Sequence, residues 1–334
     1  MLAQPKTVEE HFKLIMTDGS YIDTANKKVN FNDLPDWFDE ELFKKGQEYY
    51  QRYLLGFNAS YLAGLIAVFL VPTIAKLLEY TKQSSVPCTA FRRYLQTTLH
   101  LFFIHTSDVM DSKSKFYKSV NVIRWKHSMN SKRAIDNGLT GISQRDMVLT
   151  QFGFVGYVLT HPEVMGLSDT TEERQAINHL WRVVGHLLGI PERLNLCRRN
   201  EYETTLLCNM LLDAVYIKNL KEPTKEFHIL TIAAVKGIGS IDPLVDLDAF
   251  LSFFYEINGI KYEKKISAFS RFNYSFRKAN FYVIGLPLIG DCVRIYWNLY
   301  LRGLYWLYQK FPIFGYLRYG KQGLKILLYP HGSF

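Results

Sequence analysis

Three short patterns in the middle third of the chain carry residue types able to do chemistry. In Arg93-Tyr-Leu-Gln96-Thr97 the arginine and threonine stand one helical turn apart, so on a helix both project from one face. Arg124-Trp-Lys-His127 sets an arginine beside a histidine in the same way. The third pattern, His179-Leu-Trp181-Arg182-Val-Val-Gly185-His-Leu-Leu-Gly189, strings two histidines and an arginine along one helix. A neutral imidazole is a strong axial ligand for haem iron, and one histidine suffices where the opposite position stays open. An arginine can pair with a propionate or stabilise reduced oxygen, and a threonine hydroxyl can orient a neighbour. Each group alone says little, because a helical histidine is more often a satisfied or surface residue than a ligand.

The elements that must position these groups are helices. From Asp36 to Tyr53, apolar residues recur at helical spacing (Trp37, Phe38, Leu42, Phe43, Tyr49, Tyr50, Tyr53) behind an acidic first turn. The apolar run Leu62–Val71, extended past Pro72 to Ala75 and Leu78, is shorter than the roughly twenty residues a membrane span needs. It reads as a buried core helix. Further helices are predicted over 90–109, 115–133, 144–158, 171–189, 199–221, 223–235 and 246–257. The helix from Thr171 has a capping box in Thr170 and Glu173 and an apolar face from Ala176 to Leu188, and it stops at Gly189-Ile-Pro191. Strand alternation and internal repeats are absent, so the expected class is all-α.

Several chemistries are excluded. Cys88, Cys197, Cys208 and Cys292 have neither CxxC nor zinc-type spacing, and they read as reduced thiols. Asp242, Asp246 and Asp248 suggest a metal site but fit helix capping beside a proline better. Lys236-Gly-Ile-Gly239-Ser lacks the strand–turn–helix context of a dinucleotide loop, and no GxSxG, HExxH or P-loop is present. His179 and His186 lie about 10.5 Å apart along a helix axis, too far to share a metal, and suit packing. His100 and His105 remain alternatives to His127 as an iron ligand.

Taken in order, RxxxT, RxxH about thirty residues later, and then HLWRVVGHLLGI resemble one known family. That family joins the rubber oxygenases (latex clearing protein) to the endoplasmic-reticulum-bound oxygenase of mycophenolic acid biosynthesis. LPDWFDEELFKKGQEYYQRY, GLIAVFLVPTIAKLL and the stretch TQFGFVGYVLTHPEVMGLSD are similar as well, so the resemblance covers roughly residues 34–260. It implies a globin-like helical bundle around a haem b pocket, in which dioxygen cleaves carbon–carbon double bonds of isoprenoid chains. By position His127 matches the proximal iron ligand, and Arg93 and Thr97 match the family's arginine and threonine. Arg124 would be a propionate partner or a structural clamp, and the family's glutamate falls near Glu79. The sequence departs at Gln96, where rubber oxygenase has a lysine able to cap the iron, which implies an open or water-filled distal side.

The last quarter differs in character. Residues 261–334 hold 12 basic and 2 acidic residues, against 28 and 29 before them, so this tail supplies the net charge of +9. Tyr, Trp and Phe alternate there with Arg294, Arg302, Lys310, Arg318, Lys321 and Lys325, a mixture suited to the boundary of headgroups and acyl chains. Its aliphatic content disfavours nucleic acid. Three segments follow: an N-terminal arm over 1–35, a helical catalytic domain over 36–260, and a basic, aromatic membrane-interface region over 261–334. The start of the chain lacks the layout of a secretory signal, which points to an intracellular protein on the cytoplasmic face of a membrane, the endoplasmic reticulum by resemblance. Two functions stay open: a haem-dependent oxygenase acting on a lipophilic substrate, or a non-catalytic haem- or lipid-binding membrane-associated protein. The sequence does not set the oligomeric state.

Overall fold

The computed structural model describes residues 3–25 and 27–330; residues 1, 2, 26 and 331–334, parts of the expected arm and tail, lie outside the described residues. Among the described residues the structure is helical throughout, and extended pairing is confined to one isolated bridge between Tyr21 and Ser143. The arm begins with α1 (Val8–Thr17), held by a capping box between Thr7 and Glu10. Helix α2 (Glu40–Arg52) starts on the side chain of Asp39, which accepts from the Leu42 amide.

The apolar run read as one helix is two. Helix α3 (Leu54–Val68) stops short of Pro72, and α4 (Pro72–Tyr80) leaves at 92° to it. Proline forces the preceding residue out of helical geometry, and Val71 is extended accordingly (φ −86°, ψ 111°). No single helix among the described residues is long and apolar enough to cross a membrane, and the bent α3–α4 pair is largely buried in the core.

Helices α5 (Pro87–Ile104), α6 (Lys115–Asp136), α7 (Gln144–Thr160) and α8 (Thr171–Leu187) follow. Pairs of them meet at glycines. A Cβ on Gly64 of α3 would lie 1.8 Å from the Gly153 carbonyl oxygen of α7, so only glycine permits that crossing. Gly46 plays the same part where α2 crosses α8, with Ala176 O at 2.6 Å from an added Cβ. Helix α8 begins on Thr170, whose hydroxyl accepts from the Glu173 amide, and ends before Gly189, which takes a positive φ of 92°.

Helix α9 (Glu201–Leu211) runs through a π-helical stretch, Leu212–Ile217, into α10 (Lys218–Lys221). In that stretch Tyr216 is buried and donates to the Leu149 carbonyl. Helices α11 (Lys225–Ile238) and α12 (Leu247–Ile257) complete the segment, the latter capped by Asp246, which accepts from the Ala249 amide at 2.8 Å.

The tail forms α13 (Ala268–Ile284), α14 (Ile289–Lys310) and α15 (Ile313–Tyr319), and it is built into the fold. Trp297, Leu301, Leu304, Tyr305 and Tyr308 of α14 are buried. Asn298 accepts from the Leu54 amide and donates to the carbonyls of Gln51 and Arg52, capping the α2–α3 junction from a distant part of the chain. The opposite face of α14, with Ile295, Tyr296, Leu299 and Trp306, is exposed.

Candidate functional site

Helix α6 turns the side of Phe116, Val120, Ile123 and His127 inward, since these recur at three- and four-residue spacing. Its other sides are tied down. Asn121 exchanges two hydrogen bonds with the backbone of Val29, and Ser128 donates to the Thr24 carbonyl. Arg124 donates to the carbonyls of Lys27 and Leu187 at 3.1 and 2.6 Å, so it clamps the N-terminal arm to the end of α8.

His127 is different. Its Nδ1 is buried with no hydrogen-bond partner, and no bond to its other nitrogen is formed either among the described residues. The residue as a whole is half-buried. Burial, and after it the positive charges of Arg93, Arg124 and Lys126, lower its pKa to about 4. At neutral pH the imidazole is therefore uncharged, the form that ligates a metal.

Among the described residues the cations around it lack acidic partners. Lys126 donates there to Gln96 Oε1 alone, at 2.9 Å, and its pKa falls to about 8 through burial and then the charge of Arg93. Arg93 forms no ion pair with any carboxylate among the described residues. Two cations held beside a neutral imidazole, with no anion among the described residues to balance them, suit a ligand that carries negative charge and a Lewis-acidic centre.

Thr97, on α5 one turn after Arg93, donates its hydroxyl to the Arg93 carbonyl at 3.1 Å and leaves its lone pairs free. It also lines an apolar cavity of about 170 Å³ among α3, α5, α7, α12, α13 and α14. Leu62, Leu65, Leu101, Phe154, Phe250 and Phe253 form much of the wall. His127 and Gln96 are outside this lining, so Thr97 joins the polar α5–α6 seam to the apolar cavity. Glu79 is half-buried in the last turn of α4, also outside the lining. The structure thus gathers Arg93, Gln96, Thr97 and His127, holds Arg124 in a clamp beside them, and leaves Glu79 apart.

His105, His100, His179 and His186 each have at least one partner, although the buried Nε2 of His100 has none among the described residues. His105 donates or accepts at both nitrogens, with the Leu101 carbonyl at 2.8 Å and the Tyr61 hydroxyl at 3.0 Å. His100 bonds Ser119 at 3.1 Å, and its ring meets Tyr329 of the tail edge to face. His179 accepts from the Asp39 amide, His186 bonds the Asp33 carbonyl, and Trp37 packs edge-on against both rings. Arg182 pairs with Glu192 and stacks over Trp37 at 3.9 Å. A polar cleft of about 1030 Å³ opens beside these residues, and three of the arginines lining it are committed: Arg182 to Glu192, Arg198 to Glu203, Arg124 to carbonyls. No group of three or more His, Cys, Asp or Glu side chains among the described residues is placed to hold a metal on protein ligands alone.

Sequence reasoning missed Lys126, Tyr61 and the tail's share of the cavity. Lys126 stood inside the RxxH pattern and went unread because its partner, Gln96, is thirty residues away. Tyr61 and Tyr305 gave no signal beyond helical spacing.

No family model matches the sequence, and no curated protein does. Among solved structures the chain is similar to that of latex clearing protein LCP in the closed state, with a TM-score of 0.57 at 15% identity. The match covers 82% of this chain and 76% of that one. At this identity the likeness is one of fold.

Proposed function

We propose that the protein is a haem b-dependent oxygenase that oxidises or cleaves a carbon–carbon double bond of a lipophilic, isoprenoid-like substrate with dioxygen. The observation that carries the proposal is the neutral His127, unpartnered among the described residues and ringed by cations with no carboxylate there to balance them. The order of Arg93, Thr97, Arg124 and His127 in the sequence, and the fold likeness, support the same reading.

His127 would hold the iron. Arg93 and Lys126 would offset the charge of the two propionates, while Arg124 fixes the helix that carries His127. Haem, when bound, supplies the redox-active iron that makes dioxygen reactive toward an alkene. Thr97 presents a hydroxyl at the border of seam and cavity, where it can orient a polar atom. The apolar cavity wall binds the substrate chain and excludes water from the reacting bond. Gln96 is engaged by Lys126, so it adds a neutral amide to the seam and no iron ligand.

That engagement is also what favours a second reading, a haem- or lipid-binding protein without turnover. Oxygen consumption by the reduced, haem-loaded protein with a panel of polyprenyl and unsaturated lipids separates the two.

The exposed aromatic faces of α13 and α14 and the tail's basic residues support association with an anionic membrane surface. The cytoplasmic face of the endoplasmic reticulum fits the sequence resemblance. The test of the cofactor is spectroscopic. Titration of the purified full chain with hemin should give a saturable Soret band that is lost in His127→Ala. A protein that stays spectroscopically free of haem under those conditions overturns the proposal.

A further inference from the structure

The wall of the apolar cavity carries one ion pair, and that pair is left unfinished. Asp242, in the connection between α11 and α12, is nearly fully buried. Its Oδ1 accepts from the Leu244 amide at 3.0 Å and from the Tyr300 hydroxyl at 2.9 Å. Its Oδ2 faces Arg277 of α13 with Nη2 at 3.7 Å, beyond hydrogen-bond distance. That Nη2 is buried with no hydrogen-bond partner, and Arg277 spends its Nε on Asn273 at 3.3 Å. Both Asp242 and Arg277 line the cavity, together with the ring of Tyr274 and the aromatic side chains of α12.

One donor and one acceptor therefore stand side by side, too far apart to satisfy each other, on an otherwise apolar wall. A single hydroxyl oxygen can lie within about 2.8 to 2.9 Å of both atoms, accepting from Arg277 and donating to Asp242. A carboxylate can accept from Arg277 but has no proton for Asp242, and its charge opposes that of Asp242. An ether or ester oxygen accepts only. A hydrocarbon satisfies neither group, which leaves both desolvated.

The geometry points to a head-group site: the cavity takes a lipid alcohol, its hydroxyl bridging Arg277 and Asp242 and its chain lying against the apolar wall that Thr97 shares. This deepens the oxygenase reading by naming the polar end of the substrate, and it gives the tail a part in selecting that substrate. Arg277 belongs to the basic segment whose charge the sequence assigns to membrane binding, yet the fold spends it inside.

Calorimetric titration of the purified full chain with dodecan-1-ol, dodecyl methyl ether, dodecanoate and dodecane tests the site. The alcohol should bind about tenfold or more tightly than each of the other three, the equivalent of one additional well-made hydrogen bond. Asp242→Asn keeps the shape and an acceptor for Leu244 and Tyr300 but removes the acceptor facing Arg277. It should bring the alcohol down to the level of the ether while leaving dodecane unchanged. Arg277→Gln is the second variant, should Asp242→Asn fail to fold as judged by circular dichroism, and it should cut the preference of alcohol over alkane about tenfold, since only the bond to Asp242 remains. Equal affinities in the wild type, a preference for dodecanoate, or an alcohol preference that survives undiminished in folded variants overturns the inference. The measurement needs neither haem nor turnover. A haem-free protein that prefers the alcohol sinks the oxygenase reading alone, and a haem-loaded one without the preference sinks this inference alone.

Discussion

Helices α6 and α8 offer the same materials: histidine, arginine, and an apolar face that meets the core. They use them differently. On α8 each charged or imidazole group has a partner, although Asn178 Oδ1 and Trp181 Nε1 are buried without one. Gln151 donates to the Trp181 carbonyl and to Asn195 while accepting from the Leu196 amide, and Asn195 donates to the Arg182 carbonyl. On α6 only the outward groups are satisfied. The inward His127 has no hydrogen-bond partner among the described residues, and Lys126 has a neutral amide where a carboxylate would be the usual counterpart. Buried polar groups that are fully bonded hold a fold together, whereas those left unpaired cost stability and call for something else to account for them. By that measure the cationic and imidazole groups of α8 belong to the framework, and those of α6 form the candidate site.

The largest effect should come from the framework. Gln151→Leu leaves the buried Leu196 amide without its partner and removes one bond each from the Trp181 carbonyl and Asn195 Oδ1, which should cost about 3 kcal/mol. Urea denaturation should show a lower midpoint with an unchanged slope. His127→Leu should lie within about 1 kcal/mol of wild type in the haem-free protein, because it removes a buried nitrogen that bonds nothing. It should nevertheless abolish the hemin-dependent Soret band. Comparable losses in the two variants would make His127 a structural residue and erase the distinction between the helices.

Part of this contrast was readable from the sequence and part was not. Helix positions, the Thr170 and Asp246 caps, and the framework role of His179 and His186 follow from local rules, because caps and amphipathic faces involve residues a few positions apart. The break at Pro72 was visible as a proline, but the apolar run on either side masked the turn of the chain. What stayed hidden depends on pairs distant in sequence. Lys126 reaches Gln96 across two helices, Asn298 caps a junction nearly 250 residues earlier, and Arg277 meets Asp242 at the cavity. Composition marked the tail as aromatic and basic. It gave no way to tell that one face of α14 is core while the other is surface, since both faces carry tyrosine and tryptophan.

A smaller effect separates the two kinds of histidine by pH. Burial lowers the pKa of His105 to about 4, only partly offset by its bond to the Leu101 carbonyl. A folded-state value below the ordinary 6.5 means that the unfolded chain takes up the proton first on acidification. The contribution of His105 is thus complete above about pH 6.5 and erodes as the pH falls toward 4, by up to ~1.4 kcal/mol per pH unit. His105→Gln should flatten the dependence of unfolding free energy on pH across that window by up to this amount. It should leave hemin uptake intact, because the ring is bound at both nitrogens and has none to give. An unchanged slope would mean that His105 titrates normally in the folded protein, and loss of the Soret band would return it to the list of iron ligands.

The smallest effect on stability belongs to the exposed half of the tail, where the contrast between framework and site gains a third member. Trp306 and Leu317 are 63% and 72% exposed, so replacing both by serine should shift stability by no more than about 0.5 kcal/mol each. Leu304, on the same helix as Trp306, is buried, and Leu304→Ala should cost about 2 kcal/mol or more. If the outward face serves an anionic membrane, the Trp306→Ser/Leu317→Ser variant will float less with vesicles containing phosphatidylserine while melting like wild type. Binding to neutral vesicles should be weak for both proteins, because the unpaired lysines and arginines of the tail contribute only where the surface is negative. Undiminished flotation of the double variant would assign these side chains no part in membrane binding. The exposed aromatics of α14 would then need a protein partner, since a solvent-facing tryptophan on a well-packed helix does nothing for the fold that the buried face has not already done.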